Sequence, residues 1–370
     1  MSEDKPYLVG FNLVKGIGAV RLKALQNYFG GVQNAWNASV DALRATGLNP
    51  RIIESLLKVR SDVSLEKLIE RIESQGIKIV TWEDDDYPRH LKEIDQPPPV
   101  LYVRGALSPQ DEWAVAIVGT RRITTYGRQV AAQVADALAR NGVTVISGLA
   151  RGVDAVAHQA SLEAGGRTLA VLGCGVDRIY PPENRRLAEQ IVAHGALISD
   201  YPPGTPPEGA NFPPRNRIIS GLSQAVVVIE AGITSGALIT ANFAAEQGRD
   251  VFAVPGNINS PQSKGTNVLI QQGAQPLLTS DDLLSALNLG QVKHFQVARV
   301  ALPADALEAR LYGCLSQAPL HVDDICAATD LPIDRVSAAL AMMELKGMVR
   351  QVAGMTYALV SENPAGYLTE

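Results

Sequence analysis

Three segments of the chain combine small residues and arginine in the same way. Gly119-Thr120-Arg121-Arg122, Ser147-Gly148-Leu149-Ala150-Arg151-Gly152-Val153-Asp154 and Gly173-Cys174-Gly175-Val176-Asp177-Arg178-Ile179-Tyr180-Pro181 each follow an apolar run. Such turns deliver Arg121, Arg151 and Arg178 to one edge of a sheet, where planar guanidinium forks suit contact with phosphate. Gly119, Gly148 and Gly175 let the backbone turn closely, and Thr120 adds a hydroxyl at the same kind of turn. A fourth segment, Asn211-Phe212-Pro213-Pro214-Arg215-Asn216-Arg217, presents two further arginines and an amide at the start of a helix. A fifth, Gly232 to Ala241, places Ser235, Gly236 and Thr240 in a strand-to-helix turn whose backbone N–H groups suit an anion. Tyr180 and Phe212 are the aromatics positioned to stack on a base. Residues 113–220 hold 11 Arg, no Lys and 8 acidic residues, a balance of +3 within a chain of net charge −5. The chemistry implied is anion binding.

Catalytic readings are weaker. Gly173-Cys174-Gly175 lacks the third glycine of GxGxxG because Arg178 stands there, and no GxxxxGK[ST], GxSxG or HExxH occurs. His158 reads as a structural residue of an alanine-rich helix. Asp154 and Glu230 read as turn caps or supports for Arg151, and Cys174 is a nucleophile only with a histidine beside it. The cysteines Cys174, Cys314 and Cys326 form no CxxC pair, which points to a reduced, cytoplasmic protein without a metal site. No catalytic residue and no cofactor is expected.

The elements that must position these turns are legible from periodicity. From Trp113, apolar runs such as WAVAIVG, VTVISG, TLAVLGCG, AVVVIEA and DVFAVPG alternate with helical segments. Buried parallel strands read this way, so the fold class is α/β, a doubly wound, mainly parallel sheet with ligands at the carboxyl ends of its strands. Residues 1–75 form an N-terminal helical domain in which Gly16-Ile17-Gly18 resembles a helix-hairpin-helix turn of the SAM-like kind. Residues 76–288 form the α/β domain, 289–303 a linker, and 304–370 a C-terminal domain of three helices and a hairpin that resembles a winged helix. Residues 300–370 carry 4 basic and 9 acidic groups, which favours a protein contact over duplex phosphates. At 370 residues, 46% hydrophobic and 19% charged, with no run of about 18 apolar residues, the chain reads as soluble and without a membrane partner.

Taken together, the G[ST]R turn, SGLARGVDAVAH, LGCGVDRIYPPEN, FPPRNRIISGLS and IEAGITSGALITANFAAEQGRDVFAVPGN resemble the DprA/Smf family of DNA-processing proteins. The resemblance covers nearly the whole chain. It implies an extended Rossmann-like domain that binds single-stranded DNA, dimerises through that domain, and helps to load the RecA recombinase during natural transformation or general recombination. Carried onto this chain, Arg121 and Arg151 become the leading phosphate contacts, with Arg178, Arg215, Asn216 and Arg217 behind them. Thr120 stands where Ser is frequent, and Arg151 where Lys is frequent. The rival is a nucleotide hydrolase of the LOG phosphoribohydrolase type, whose PGGxGT turn this chain lacks.

Overall fold

The computed structural model describes residues 3–287, 306–315, 319–345 and 349–359. The expected linker at 289–303 lies outside the described residues. The chain divides into two compact units, residues 1–292 and 293–370.

The first unit is built on nine strands: β1 (Ile77–Thr81), β2 (Val100–Gly105), β3 (Ala114–Val118), β4 (Thr144–Ser147), β5 (Thr168–Val171), β6 (Ala196–Ser199), β7 (Ala225–Val228), β8 (Asp250–Ala253) and β9 (Gln275–Pro276). Their order is β1-β2-β6-β5-β4-β3-β7-β8-β9. Strands β3 to β9 run parallel to their neighbours, in register Ala116↔Ile146 and Val118↔Val228, whereas β2 pairs antiparallel with both β6 and β1. Every residue of β3 to β7 is buried, because helices cover both faces. Thr125–Arg140, Val153–Glu163 and Ser280–Ala286 pack on one face. Phe212–Gly221, Gly236–Glu246 and Lys264–Gln271 pack on the other. The chain steps outward from β3 through β4, β5 and β6, then returns to β7 on the other side of β3. The turns after β3 and β7 therefore leave in opposite directions, which opens a crevice at their carboxyl ends.

Six helices precede the sheet: Lys5–Asn12, Ala19–Phe29, Val32–Asn37, Val40–Ala45, Pro50–Asp62 and Leu65–Glu73. Their core, including Leu8, Phe11, Leu22, Trp36 and Leu56, continues into Ile77, Ile79, Val100 and Tyr102 of β1 and β2. Alternation along the strands turns Val80, Leu101 and Val103 to the opposite face. Buried Lys5 stitches the join, donating to the Ile79 carbonyl at 3.1 Å and pairing with Asp84 at 3.1 Å. Asn12 donates to the Asp200 carbonyl and accepts from the Tyr102 hydroxyl. The 1–75 and 76–288 segments, distinct in composition, thus share one core.

The second unit holds helices Ala306–Cys314, Val322–Thr329 and Ile333–Leu345 with strands Leu320–His321, Val349–Ala353 and Thr356–Leu359. Leu311, Ile325, Leu340, Met343 and Val349 form its core. Among the described residues, no helix is long and apolar enough to cross a membrane.

All three tryptophans, Trp36, Trp82 and Trp113, lie in the first unit. Their fluorescence is expected to report one cooperative urea transition for helices and sheet together, and an earlier, separate transition would contradict the shared core. Lys5→Ala should lower the midpoint of that transition by the equivalent of about 2 kcal/mol, the cost of stranding a mostly buried partner.

Candidate functional site

The crevice forms where the β3 and β7 turns stay bonded beyond the strand ends. Thr120 N–H donates to the Glu230 carbonyl at 2.7 Å, and Ile229 N–H to the Val118 carbonyl at 3.0 Å. The buried Glu230 carboxylate accepts from Thr124 N–H at 2.9 Å and from the Thr124 hydroxyl, which itself caps the next helix by accepting from Gly127 N–H at 3.1 Å. This carboxylate sits at a helix N-terminus, where negative charge is stabilised.

The Ser147–Asp154 turn is pinned from three sides. The Asp154 carboxylate accepts from Gly148 and Ala150 N–H groups, both at 3.2 Å. Asn184 donates to the Leu149 carbonyl at 2.9 Å, holding Leu149 at a φ of 56°, which a non-glycine residue seldom adopts. Gly152, at a φ of 78°, lies so close to the first turn that a Cβ there would sit 2.3 Å from the Thr120 carbonyl oxygen. The two arginine turns are therefore in backbone contact.

Beneath them lies Arg215, 5% exposed. Its guanidinium donates to the Gly148 carbonyl at 3.0 Å, to the Val171 carbonyl at the end of β5, and to the Asn216 side-chain oxygen at 3.2 Å. Gly148 makes room for it, since a Cβ would approach the guanidinium to 2.8 Å. Burial lowers the pKa of Arg215 and raises that of Asp154, and their opposite charges temper both shifts. His158 is fully buried, its Nδ1 2.6 Å from the Thr168 hydroxyl. That hydroxyl donates to the Val145 carbonyl, so His158 Nδ1 carries the proton. Burial and the Arg215 charge push the imidazole pKa down to about 3, leaving it neutral at physiological pH. Burial likewise pushes the Cys174 thiol up to about 11, so it is not a thiolate.

The crevice encloses about 750 Å³. Gly119, Thr120, Arg121 and Arg122 form one wall, and Ser235, Gly236 and Thr240 form another. Tyr180, Phe212, Arg215 and Asn216 also line it. The Arg121 and Arg215 guanidinium carbons each lie 5.8 Å from the Phe212 ring centre, and Tyr180 lies 5.8 Å from the same ring at 38°. Gly148 and Arg151 line a small adjoining recess with Arg121, Tyr180 and Phe212. Arg151 is exposed and pairs with Glu183. Arg121, Arg122 and Arg215 against the single acid Asp154 make the crevice wall cationic.

Three expected positions line neither the crevice nor its adjoining recess. Arg217 is held by Asp200 at 2.9 Å and by the Gln96 carbonyl. The Gly175 N–H is spent on the Thr205 carbonyl at 3.1 Å, and Arg178 is exposed outside the lining. Arg215 lines the floor, but its donors serve the scaffold. Arg122 and Gln262 line the crevice as well. Adjacency to Arg121 signals the first, whereas nothing in the sequence around Gln262 signals the second.

Arg215→Ala strands two strand-end carbonyls and the Asp154 charge, so thermal unfolding should show a loss of about 3 kcal/mol. Arg121→Ala, at an exposed position, should stay within about 0.5 kcal/mol of the parent. An Arg215→Ala protein as stable as the parent would overturn the scaffold role.

The family described as DNA recombination-mediator protein A matches residues 78–288, and a DprA winged helix domain matches residues 297–355. Protein Smf of Synechocystis sp. is 38% identical over 96% of this chain and 99% of its own length. DNA processing protein DprA of Bacillus subtilis is 42% identical over 60% of this chain and 75% of its own. The X-ray structure of DprA from Streptococcus pneumoniae has a TM-score of 0.66 at 33% identity, covering 77% of this chain and 98% of that one. The structure of DNA processing protein A from Helicobacter pylori, described for its single-stranded DNA binding mode, has a TM-score of 0.52 at 32% identity, covering 57% of this chain and 95% of that one. The chain belongs to the DNA recombination-mediator protein A family.

Proposed function

We propose that the crevice binds the sugar-phosphate chain of single-stranded DNA without regard to sequence, and that the protein acts as a recombination mediator rather than as an enzyme. The observation that carries this reading is the cationic crevice at the strand reversal, in which Arg121 lies against Phe212 and Phe212 against Tyr180. The H. pylori relative described as binding single-stranded DNA supports it. Arg121 and Arg122 would hold phosphates together with the backbone N–H groups around Ser235 and Gly236, while aromatic faces accept any base. Arg151 would exchange Glu183 for a phosphate, a small cost for an exposed pair. Arg178 would contact only the strand that has left the crevice. Glu230 speaks against the hydrolase alternative, because its carboxylate is committed to Thr124.

The finer reading includes a homodimer and RecA loading. Ile258 and Leu278, 79% and 73% exposed, follow β8 and the edge strand β9 and are the apolar side chains that a second copy would cover. Two crevices on one strand would raise apparent affinity by avidity. The acidic C-terminal unit is assigned to a protein contact.

Fluorescence anisotropy over a salt series tests the site. Neutralising about four phosphates gives a slope of log K against log salt near −2.8, with single strands preferred over duplex. The Arg121→Ala, Arg151→Ala pair should weaken binding by at least about tenfold and flatten the slope by about 1.4. Binding indifferent to both changes, or release of free base from nucleoside monophosphates, would overturn the reading. Leu278→Arg should yield a monomer by sedimentation and slow RecA assembly on single strands. A dimer that persists would exclude this edge.

A further inference from the structure

The helical segment is opposite in charge to the chain that carries it. Residues 13–60 hold seven Lys and Arg against Asp41 and Glu54, a balance of +5 in a chain of net charge −5. Two of the seven are spent locally. Arg60 donates to the Ala35 and Ala38 carbonyls and lies over the Trp36 ring, and Arg44 pairs with Asp41. Lys15, Lys23, Arg51 and Lys58 are exposed and make no ion pair among the described residues. Arg21 is exposed and donates to the Gly16 carbonyl.

The Gly16 turn packs on the Pro50–Asp62 helix so closely that a Cβ there would lie 3.2 Å from Ile52 Cδ1 and 4.0 Å from the Arg21 guanidinium. Arg21 lines one groove of about 370 Å³ with Tyr28, Gly47, Asn49 and Ile52, while Lys15 and Arg51 lie outside that lining as the chain neighbours of Gly16 and Ile52. Tyr28 is 59% exposed there, its ring set against Phe29 at 4.9 Å. A guanidinium and an exposed aromatic face in one open groove, on a segment of net charge +5, are the makings of a platform for unpaired bases and their phosphates. A duplex, whose bases are already stacked, would leave Tyr28 unused.

We propose that this groove is a second contact surface for single-stranded DNA, taking the length of strand that extends beyond the crevice. The inference rests on the crevice reading for the identity of the ligand. Groove and crevice belong to one compact unit with a continuous core, so their separation is fixed and a strand long enough to reach both gains avidity.

The test uses the full chain with two lengths of oligonucleotide, about 6 and about 30 nucleotides, bracketing common site sizes. In the Lys15→Glu, Arg21→Glu, Arg51→Glu variant, affinity for the short strand should be unchanged, while affinity for the long strand falls about tenfold and its salt slope flattens by about 2. Tyr28→Ala, which alters no charge and leaves the Arg21 hydrogen bond in place, should weaken only the long strand, by about fivefold. If the short strand binds and both variants hold the long strand as tightly as the parent, the groove is not a site and the crevice reading stands. If the parent binds only the long strand and the triple variant abolishes this, the crevice reading fails and the groove stands. Loss of duplex binding alone would also overturn the proposal.

Discussion

Arg215 forms the floor of the crevice with its guanidinium shared between the carbonyls of Gly148, just after β4, and Val171, the last residue of β5, and the surrounding turns are shaped to it. A charge placed there must be satisfied on every side, because an uncompensated guanidinium in a protein interior costs several kcal/mol, about 3 or more. The satisfaction comes from the strand ends themselves, from Asn216, and from the nearby Asp154 charge. Asp154 in turn fixes the backbone of the Arg151 turn. Gly148 has no side chain because the guanidinium occupies its place. The buried ion thus sets the height and spacing of the turns that carry the exposed arginines.

That arrangement separates two kinds of arginine by environment. Arg121, Arg122 and Arg151 are exposed at the mouth, where a phosphate can replace water or a weakly held carboxylate at little cost. Arg215 and Arg217 are bound to carbonyls and carboxylates of the scaffold, where exchange would break the fold. The Glu230 carboxylate plays the corresponding part on the β7 side, holding Thr124 at the start of the Thr125–Arg140 helix. The arginines at the mouth keep exchangeable surroundings, whereas those of the floor do not.

Much of this is legible in the sequence. Continuous apolar runs announce buried parallel strands, and the turns after β3, β4 and β7 fall where residue types indicate a ligand edge. The limits are equally physical. Arg215 and Arg217 are two residues apart in the Phe212–Gly221 helix, roughly 200° around its axis, so one site cannot use both. Their residue type alone hides this, although the helical phase does not. Gly148 and Gly175 look like phosphate turns, yet Gly148 N–H serves Asp154 and Gly175 N–H serves Thr205. Those partners are close only in the folded chain. The shared core of helices and sheet is likewise invisible to composition, because it depends on which face of β1 and β2 meets Leu8 and Phe11.

Photocrosslinking tests the central claim most directly. A single strand carrying 5-iodouracil, bound to the full chain and irradiated, should crosslink to the peptides that contain Tyr180 and Phe212, since bases stacked on that pair lie within bonding reach. Crosslinks confined to other parts of the chain, with none to these two aromatics, would contradict the account.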